Sequence, residues 1–76
     1  MNINIAEFLE KFNAEYKFLY DNYDRVAGYE EAVTAFDEEF LPNHKEFVGE
    51  FCKYRGDLIT SDRECAAFMF AMENYM

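Results

Sequence analysis

Residues 61–72 read SDRECAAFMFAM, and this stretch decides the fold of the chain. Its first four residues form a capping box. In such a box Ser61 accepts a hydrogen bond from the backbone of Glu64, and the Glu64 carboxylate reaches back to Ser61. Eight apolar residues follow without a break, from Cys65 to Met72, and none of them is β-branched. Because alanine and methionine favour helix, the pattern predicts a helix over residues 62–75. A buried strand is the alternative for an apolar run of this length.

The predicted fourth helix is apolar on most of its sides, so most of those sides have to be covered. We therefore predict that it is the central element and that the other helices wrap around it. In the alternative, part of its surface packs against a second copy of the chain and forms a homodimer. That self-association surface would consist of Phe70, Tyr75 and Met76.

The first part of the chain predicts a helix over residues 5–26. Asn4 is a good N-cap, and Glu7 is placed to reach back to it. Gly28 can end the segment in a left-handed turn. Apolar residues recur at steps of three and four, which places them on one stripe of a helix. The stripe consists of Ile5, Phe8, Leu9, Phe12, Tyr16, Leu19, Tyr23 and Val26.

Two further helices are predicted over residues 29–41 and 44–55. Pro42 ends the first of them, since proline does not continue a helix. Asn43 is the predicted N-cap of the second, Glu46 takes its third position, and Gly56 stops it. The inward residues are Tyr29, Ala32, Val33, Phe36 and Phe40 in one helix, and Phe47, Val48, Phe51, Tyr54 and Leu58 in the other. The sequence therefore predicts an all-α fold, a compact bundle of about four short helices with the fourth central, in a single domain spanning residues 1–76.

The charge balance favours a basic partner. The chain has 7 Lys and Arg against 16 Asp and Glu, a net charge of −9. Such a field repels phosphate backbones and anionic membranes, so we expect no direct binding to nucleic acid or to a membrane. No signal peptide or membrane-spanning run is recognisable, which predicts a cytoplasmic protein. The two cysteines, Cys52 and Cys65, are then expected as reduced thiols, with a disulfide between them as the alternative.

Groups that could support catalysis or bind a metal are few. His44 is the one histidine, and we expect it as an exposed polar residue in the first turn of a helix. With Cys52 and Cys65 it supplies three of the four ligands that structural zinc needs, without ligand spacing. Residues 21–25 look like the start of a calcium loop, but Tyr23 and Arg25 stand where oxygen ligands belong. We predict no catalytic residue, no cofactor and no metal, and hence no enzyme.

A run of acids on the second predicted helix is the first candidate site. Glu30, Glu31, Asp37, Glu38 and Glu39 lie between Tyr29 and Leu41 with no basic residue among them. At 100° per residue, Glu30 and Asp37 form one row and Glu31 and Glu38 form the next. The last three acids crowd the negative end of the helix dipole, where their charge is unfavourable. They form either a solvated face or a docking surface for Lys and Arg.

Phe18 and Tyr20 are the second candidate, as aromatic anchors of an interface. Phe18 lies about 140° from the centre of the apolar stripe of the first helix, among charged neighbours. An aromatic ring on a charged surface is typical of an interface hot spot. The alternative is a second packing face inside the domain that covers the Phe18 ring.

In size, charge and lack of catalytic groups, the chain resembles the small acidic inhibitors made by phages and mobile elements. That resemblance implies a non-enzymatic module that mimics nucleic acid and blocks a basic channel on a host nucleic-acid enzyme, as anti-restriction and anti-CRISPR proteins do. The partner would then be a protein with a basic surface. The alternative function is a small structural or assembly subunit that oligomerises through the fourth helix.

Overall fold

Residues 3–75 are described in the structure, a computed structural model. Met76, one of the predicted self-association residues, lies outside the described residues. Helix α1 spans Ile5–Asn22 and a 3₁₀ turn follows at Tyr23–Arg25. Helix α2 (Tyr29–Ala35) continues into a π turn (Phe36–Phe40) and a last helical turn, α3 (Leu41–Asn43). Helices α4 (Lys45–Arg55) and α5 (Asp62–Tyr75) complete the chain. Four helical segments thus form an all-α bundle, as predicted.

Helix α5 is the central element of the bundle. Phe68 is fully buried, and its ring packs at 4.9–5.3 Å between centroids against Phe8, Phe36, Phe40 and Phe51. These four rings come from α1, the π turn and α4, so three segments meet on one side chain of α5. The buried residues of α5 are Glu64, Cys65, Ala66, Ala67, Phe68, Ala71 and Met72. The prediction of a central helix is confirmed, and the strand alternative is wrong.

The capping box predicted at the start of α5 is present. The backbone N–H of Glu64 donates to Ser61 Oγ at 3.2 Å, and the Ser61 N–H donates to Glu64 Oε1 at 3.2 Å. The same carboxylate pairs with Arg55 on α4, which sequence analysis had not considered. The box therefore also joins two helices.

The start of α1 is capped as predicted on one side only. Asn4 Oδ1 accepts from the Glu7 N–H at 3.1 Å, but Glu7 does not reach back to Asn4. The Asn4 N–H donates instead to Tyr75 Oη at 2.9 Å, and that hydroxyl donates to Glu7 Oε2 at 3.3 Å. The end of α5 thus takes the place of the second half of the box.

The first helix is shorter than predicted. It ends at Asn22, and Tyr23 lies in the 3₁₀ turn with 42% of its surface exposed. Val26 lies beyond that turn and is partly buried. Gly28 has the expected left-handed backbone, with φ of +82°, and is the N-cap of α2.

The predicted boundary at Pro42 and Asn43 is wrong. The helical segment runs past Pro42 to Asn43, because the turn just before the proline is a π turn, in which the Leu41 N–H bonds to the Phe36 carbonyl and the i to i−4 bonding that proline disrupts is already interrupted. Asn43 does not cap α4. Its Nδ2 donates to the carbonyl of Glu39 at 2.7 Å, which satisfies an acceptor at the end of the preceding segment. His44 takes the N-cap position of α4 without a side-chain hydrogen bond.

The inward face of α4 is rotated from the predicted one. Val48, Phe51 and Cys52 are buried, but Tyr54 is 56% exposed and Leu58 is 67% exposed, so both were wrongly predicted to face inward. Arg55 completes the inward stripe instead, with its guanidinium 5.1 Å from the centroid of the Phe12 ring. A buried carboxylate, Glu64, provides the charge that makes this inward arginine stable.

Candidate acidic surface

The five acids of the predicted site are all exposed. Glu30 and Glu31 lie in the first turn of α2, and Asp37, Glu38 and Glu39 lie in the π turn. The structure contains one salt bridge among residues 3–75, between Arg55 and Glu64. The charge of the five carboxylates is therefore not neutralised by the described lysines and arginines.

The π turn changes how these acids are grouped. Its hydrogen bonds join residues five apart, so each residue advances by less than the 100° of an α-helix. Asp37 and Glu38, the predicted row partners of Glu30 and Glu31, do not border the concavity that Glu30 and Glu31 share. Glu30, Glu31 and Glu39 instead border one shallow concavity beside Thr34 and Ala35.

Asp37 is separated from that group because it faces the start of α5. The thiol of Cys65 donates to Asp37 Oδ1 at 3.9 Å. Burial, with the nearby carboxylates of Asp37, Asp62 and Glu64, raises the pKa of Cys65 to about 12. Cys65 is therefore a protonated thiol at neutral pH rather than a nucleophile. Both Cys52 and Cys65 are free and buried, as the thiol prediction requires.

Two acids that sequence analysis missed extend the surface. Asp24 borders a concavity of about 420 Å³ with Tyr23, Tyr29, Glu30 and Glu31. Glu73 of α5 and Glu31 border a third concavity, between α2 and α5. Glu31 thus adjoins all three concavities and is the centre of the surface. Asp24 and Glu73 belong to other elements, so no spacing along α2 could have indicated them. We call Asp24, Glu30, Glu31, Glu39 and Glu73 the acidic surface.

The two predicted aromatic anchors lie on opposite sides of α1, since two residues are about 200° apart on a helix. Phe18 is 55% exposed and Tyr20 is 60% exposed. The Tyr20 ring packs 5.2 Å from the guanidinium of Arg63, which also lies 4.4 Å over Tyr23. Tyr20 is therefore next to the concavity that Asp24 borders, whereas Phe18 points away from it. The alternative of a second packing face covering Phe18 is wrong.

The residues predicted for self-association are engaged within the chain to different degrees. The Tyr75 ring packs against Phe8 with centroids 6.2 Å apart, and its hydroxyl donates to Glu7 of α1. Phe70 is partly buried and borders the concavity between α2 and α5. His44 is exposed, with its ring 4.4 Å from that of Phe40.

Residues 3–75 hold no group of three His, Cys, Asp or Glu side chains placed to bind a metal ion. None of the helices within that range is long and apolar enough to cross a membrane. No protein-family model matches the chain, and no curated protein or solved structure matches it either. The acidic surface is therefore the feature of the molecule from which a function can be inferred.

Proposed function

We propose that this chain is a non-enzymatic binding module that presents the acidic surface to a basic surface of a partner protein. The supporting observation is that the acids on α2 and the π turn are exposed and form no ion pair with a described lysine or arginine. Carboxylates arranged in this way attract Lys and Arg and accelerate association. Tyr20 and Tyr23 lie at the edge of the surface and supply aromatic contact area.

In its specific form, the proposal is that the partner is a nucleic-acid enzyme and that the carboxylates stand in for phosphates. The net charge of −9 supports this form, as does the resemblance in size and charge to acidic phage inhibitors such as anti-restriction and anti-CRISPR proteins. A basic channel that binds DNA or RNA is a concentrated positive field, to which an outward-facing acidic helix is complementary. The protein would act in the cytoplasm, where such enzymes work.

The test is affinity capture from the cells that make the protein, at low salt, followed by affinity measurement with the captured partner. The acidic-surface variant carries Glu30→Gln, Glu31→Gln and Glu39→Gln. A control variant carries Glu10→Gln, Asp21→Asn and Glu50→Gln, three exposed positions on α1 and α4. Both variants lose three negative charges, so only the position of the charge differs between them.

We expect the acidic-surface variant to bind about ten-fold more weakly, because exposed pairs contribute about 0.5 kcal/mol each and 1.4 kcal/mol is ten-fold in affinity. The control variant should lose less than about two-fold and show the same salt dependence as the wild type. Equal losses in the two variants would contradict a localised surface. If excess DNA or RNA does not displace the partner, the mimicry is wrong while the docking surface stands.

A further inference from the structure

An apolar groove runs along the outer side of α4, and the proposed function does not use it. Its volume is about 630 Å³. The apolar lining comes from Leu41 of α3, from Val48 and Cys52 of α4, and from Leu58 in the loop after α4. Leu58 is 67% exposed, the highest exposure among the large apolar residues described. An exposed leucine beside an apolar groove is the arrangement expected at a docking site rather than in a core.

Gly49 lines this groove, and no contact inside the chain requires a glycine at this position. It lies in the middle of α4, where glycine is a poor helix former. A Cβ added there would meet nothing within 4 Å, so no internal contact explains the glycine. What the missing side chain does provide is room for the backbone of another helix to approach α4 closely.

The groove lining itself carries two lysines and one aspartate, a net positive charge in a molecule with a net charge of −9. Lys45 and Lys53 line it, one turn before and one turn after Gly49 on the same row of α4, roughly 12 Å apart along the axis. In a chain with 7 basic against 16 acidic residues, two lysines beside one apolar groove favour an acidic occupant. Asp57 lies at the end of the groove, and Glu46 and Glu50 lie on the next row of α4.

A second copy of the chain fits this groove less well. Two α4 helices crossing antiparallel at Gly49 would bring the lysines of one copy against those of the other, and like charges in an interface are unfavourable. The occupant has to cover an apolar groove and carry charge opposite to that of the lysines. An amphipathic helix with acidic flanks does both, because its apolar stripe fills the groove and its acids pair with Lys45 and Lys53.

We propose that the α4 groove binds an amphipathic helix of a partner protein, with apolar residues on one stripe and Asp or Glu on its flanks. This second interaction surface is independent of the acidic surface. It selects an acidic partner segment, whereas the acidic surface selects a basic one. Its occupant contacts Leu58 and Gly49, with Lys45 and Lys53 one turn on either side of Gly49.

The test uses an acetylated and amidated peptide of about 15 residues, long enough to form a helix when bound, with leucines on one stripe and glutamates on the flanks. A matched peptide carries lysines in place of the glutamates. Each is titrated into ¹⁵N-labelled full-length protein, and amide shifts are followed by NMR. The variants are Leu58→Ala, the pair Lys45→Glu with Lys53→Glu, and a control pair, Lys11→Glu with Lys17→Glu, at exposed positions of α1.

We expect the glutamate peptide to shift groove amides saturably, and the Lys45/Lys53 variant to weaken binding by about ten-fold or more. Leu58→Ala should also weaken it without changing charge, whereas the Lys11/Lys17 control should change it by less than about two-fold. The proposal is overturned if the lysine peptide binds equally well or if the two charge variants behave alike. Groove shifts that grow with protein concentration alone would instead assign the groove to a second copy.

Discussion

Glu64 is the residue that joins the start of α5 to α4. Its Oε1 accepts from the backbone N–H groups of Thr60 at 3.0 Å and Ser61 at 3.2 Å, and its Oε2 pairs with Arg55. Burial alone would raise the pKa of Glu64, but hydrogen bonds from Thr60, Arg55 and Ser61 and the charge of Arg55 outweigh it. The pKa therefore lies below its ordinary value of 4.5. The fold thus favours the ionised carboxylate.

Replacing that carboxylate leaves Arg55, whose side chain is only 19% exposed, without its counter-charge. We expect Glu64→Gln to lower the free energy of unfolding by about 3 kcal/mol at neutral pH, the range for breaking a buried pair. Urea denaturation followed by circular dichroism measures it. Glu10→Gln, at an exposed position of α1, is the control and should change stability by less than about 0.5 kcal/mol.

The wild type and the Glu64→Gln variant also test in which direction stability changes with pH. A carboxyl group with a lowered folded-state pKa stabilises fully above its unfolded-state pKa and loses that contribution as pH falls through the folded-state value. The stability difference between wild type and Glu64→Gln should therefore shrink as the pH is lowered from neutral to well below 4.5. A difference that stays constant over that range would contradict a role for the ionised form.

At the scale of the element, Asn43 distinguishes the observed boundary from the predicted one. Its Nδ2 donates to the Glu39 carbonyl, whereas the N-cap prediction required its oxygen to accept from α4. Asn43→Asp distinguishes the observed hydrogen bond from the predicted N-cap. Aspartate is an equally good N-cap, but its side chain has no N–H to donate. We expect Asn43→Asp to destabilise by about 1 kcal/mol in urea denaturation, the typical contribution of one hydrogen bond.

The control for this substitution is Asn4→Asp, where the side-chain oxygen does accept a backbone hydrogen bond. It should leave the stability unchanged within about 0.5 kcal/mol or raise it, since an acid at a helix start is favourable. If Asn43→Asp behaved in the same way, the predicted cap of α4 would be correct after all.

The elements also show which part of the fold is readable from sequence. The Ser61–Glu64 box and the left-handed Gly56 that ends α4 depend on residues a few positions apart, and both were predicted. The π turn was not predicted, because Phe36 and Phe40 are four residues apart and would both face Phe68 from a regular α-helix as well, so the apolar pattern carries no sign of the turn. The exposure of the acids was predictable from the sequence, but the concavity that groups Glu30, Glu31 and Glu39 was not.

The remaining features of the candidate site depend on contacts between residues that are far apart in the sequence. Arg55 was overlooked as an inward residue because its counter-charge, Glu64, belongs to another helix. Tyr20 lies beside the acidic surface through its contact with Arg63, and Asp24 belongs to that surface through the concavity that it shares with Tyr29. None of these contacts leaves a periodic signal, because each brings together residues from different elements.

At the scale of the whole molecule, two observations argue against self-association through α5. The helix is enclosed by α1, α2 and α4, and Tyr75 is tied to Asn4 and Glu7 at the start of the chain. The net charge of −9 adds a repulsion between copies at low salt. Phe70 remains as a partly buried residue at the edge of a concavity and is the position to test.

Measurements at low and high salt distinguish charge repulsion between copies from hydrophobic contact between them. At about 1 M salt the screening length is about 3 Å, so charge repulsion between copies is largely removed while hydrophobic contacts persist. We expect light scattering to give the monomer mass at both low and molar salt, and Phe70→Asp to leave that mass unchanged. The reason is that the apolar sides of α5 are already covered within the chain. An oligomer that appears in molar salt and is lost in Phe70→Asp would instead support the assembly subunit, with the acids serving only to keep the copies apart.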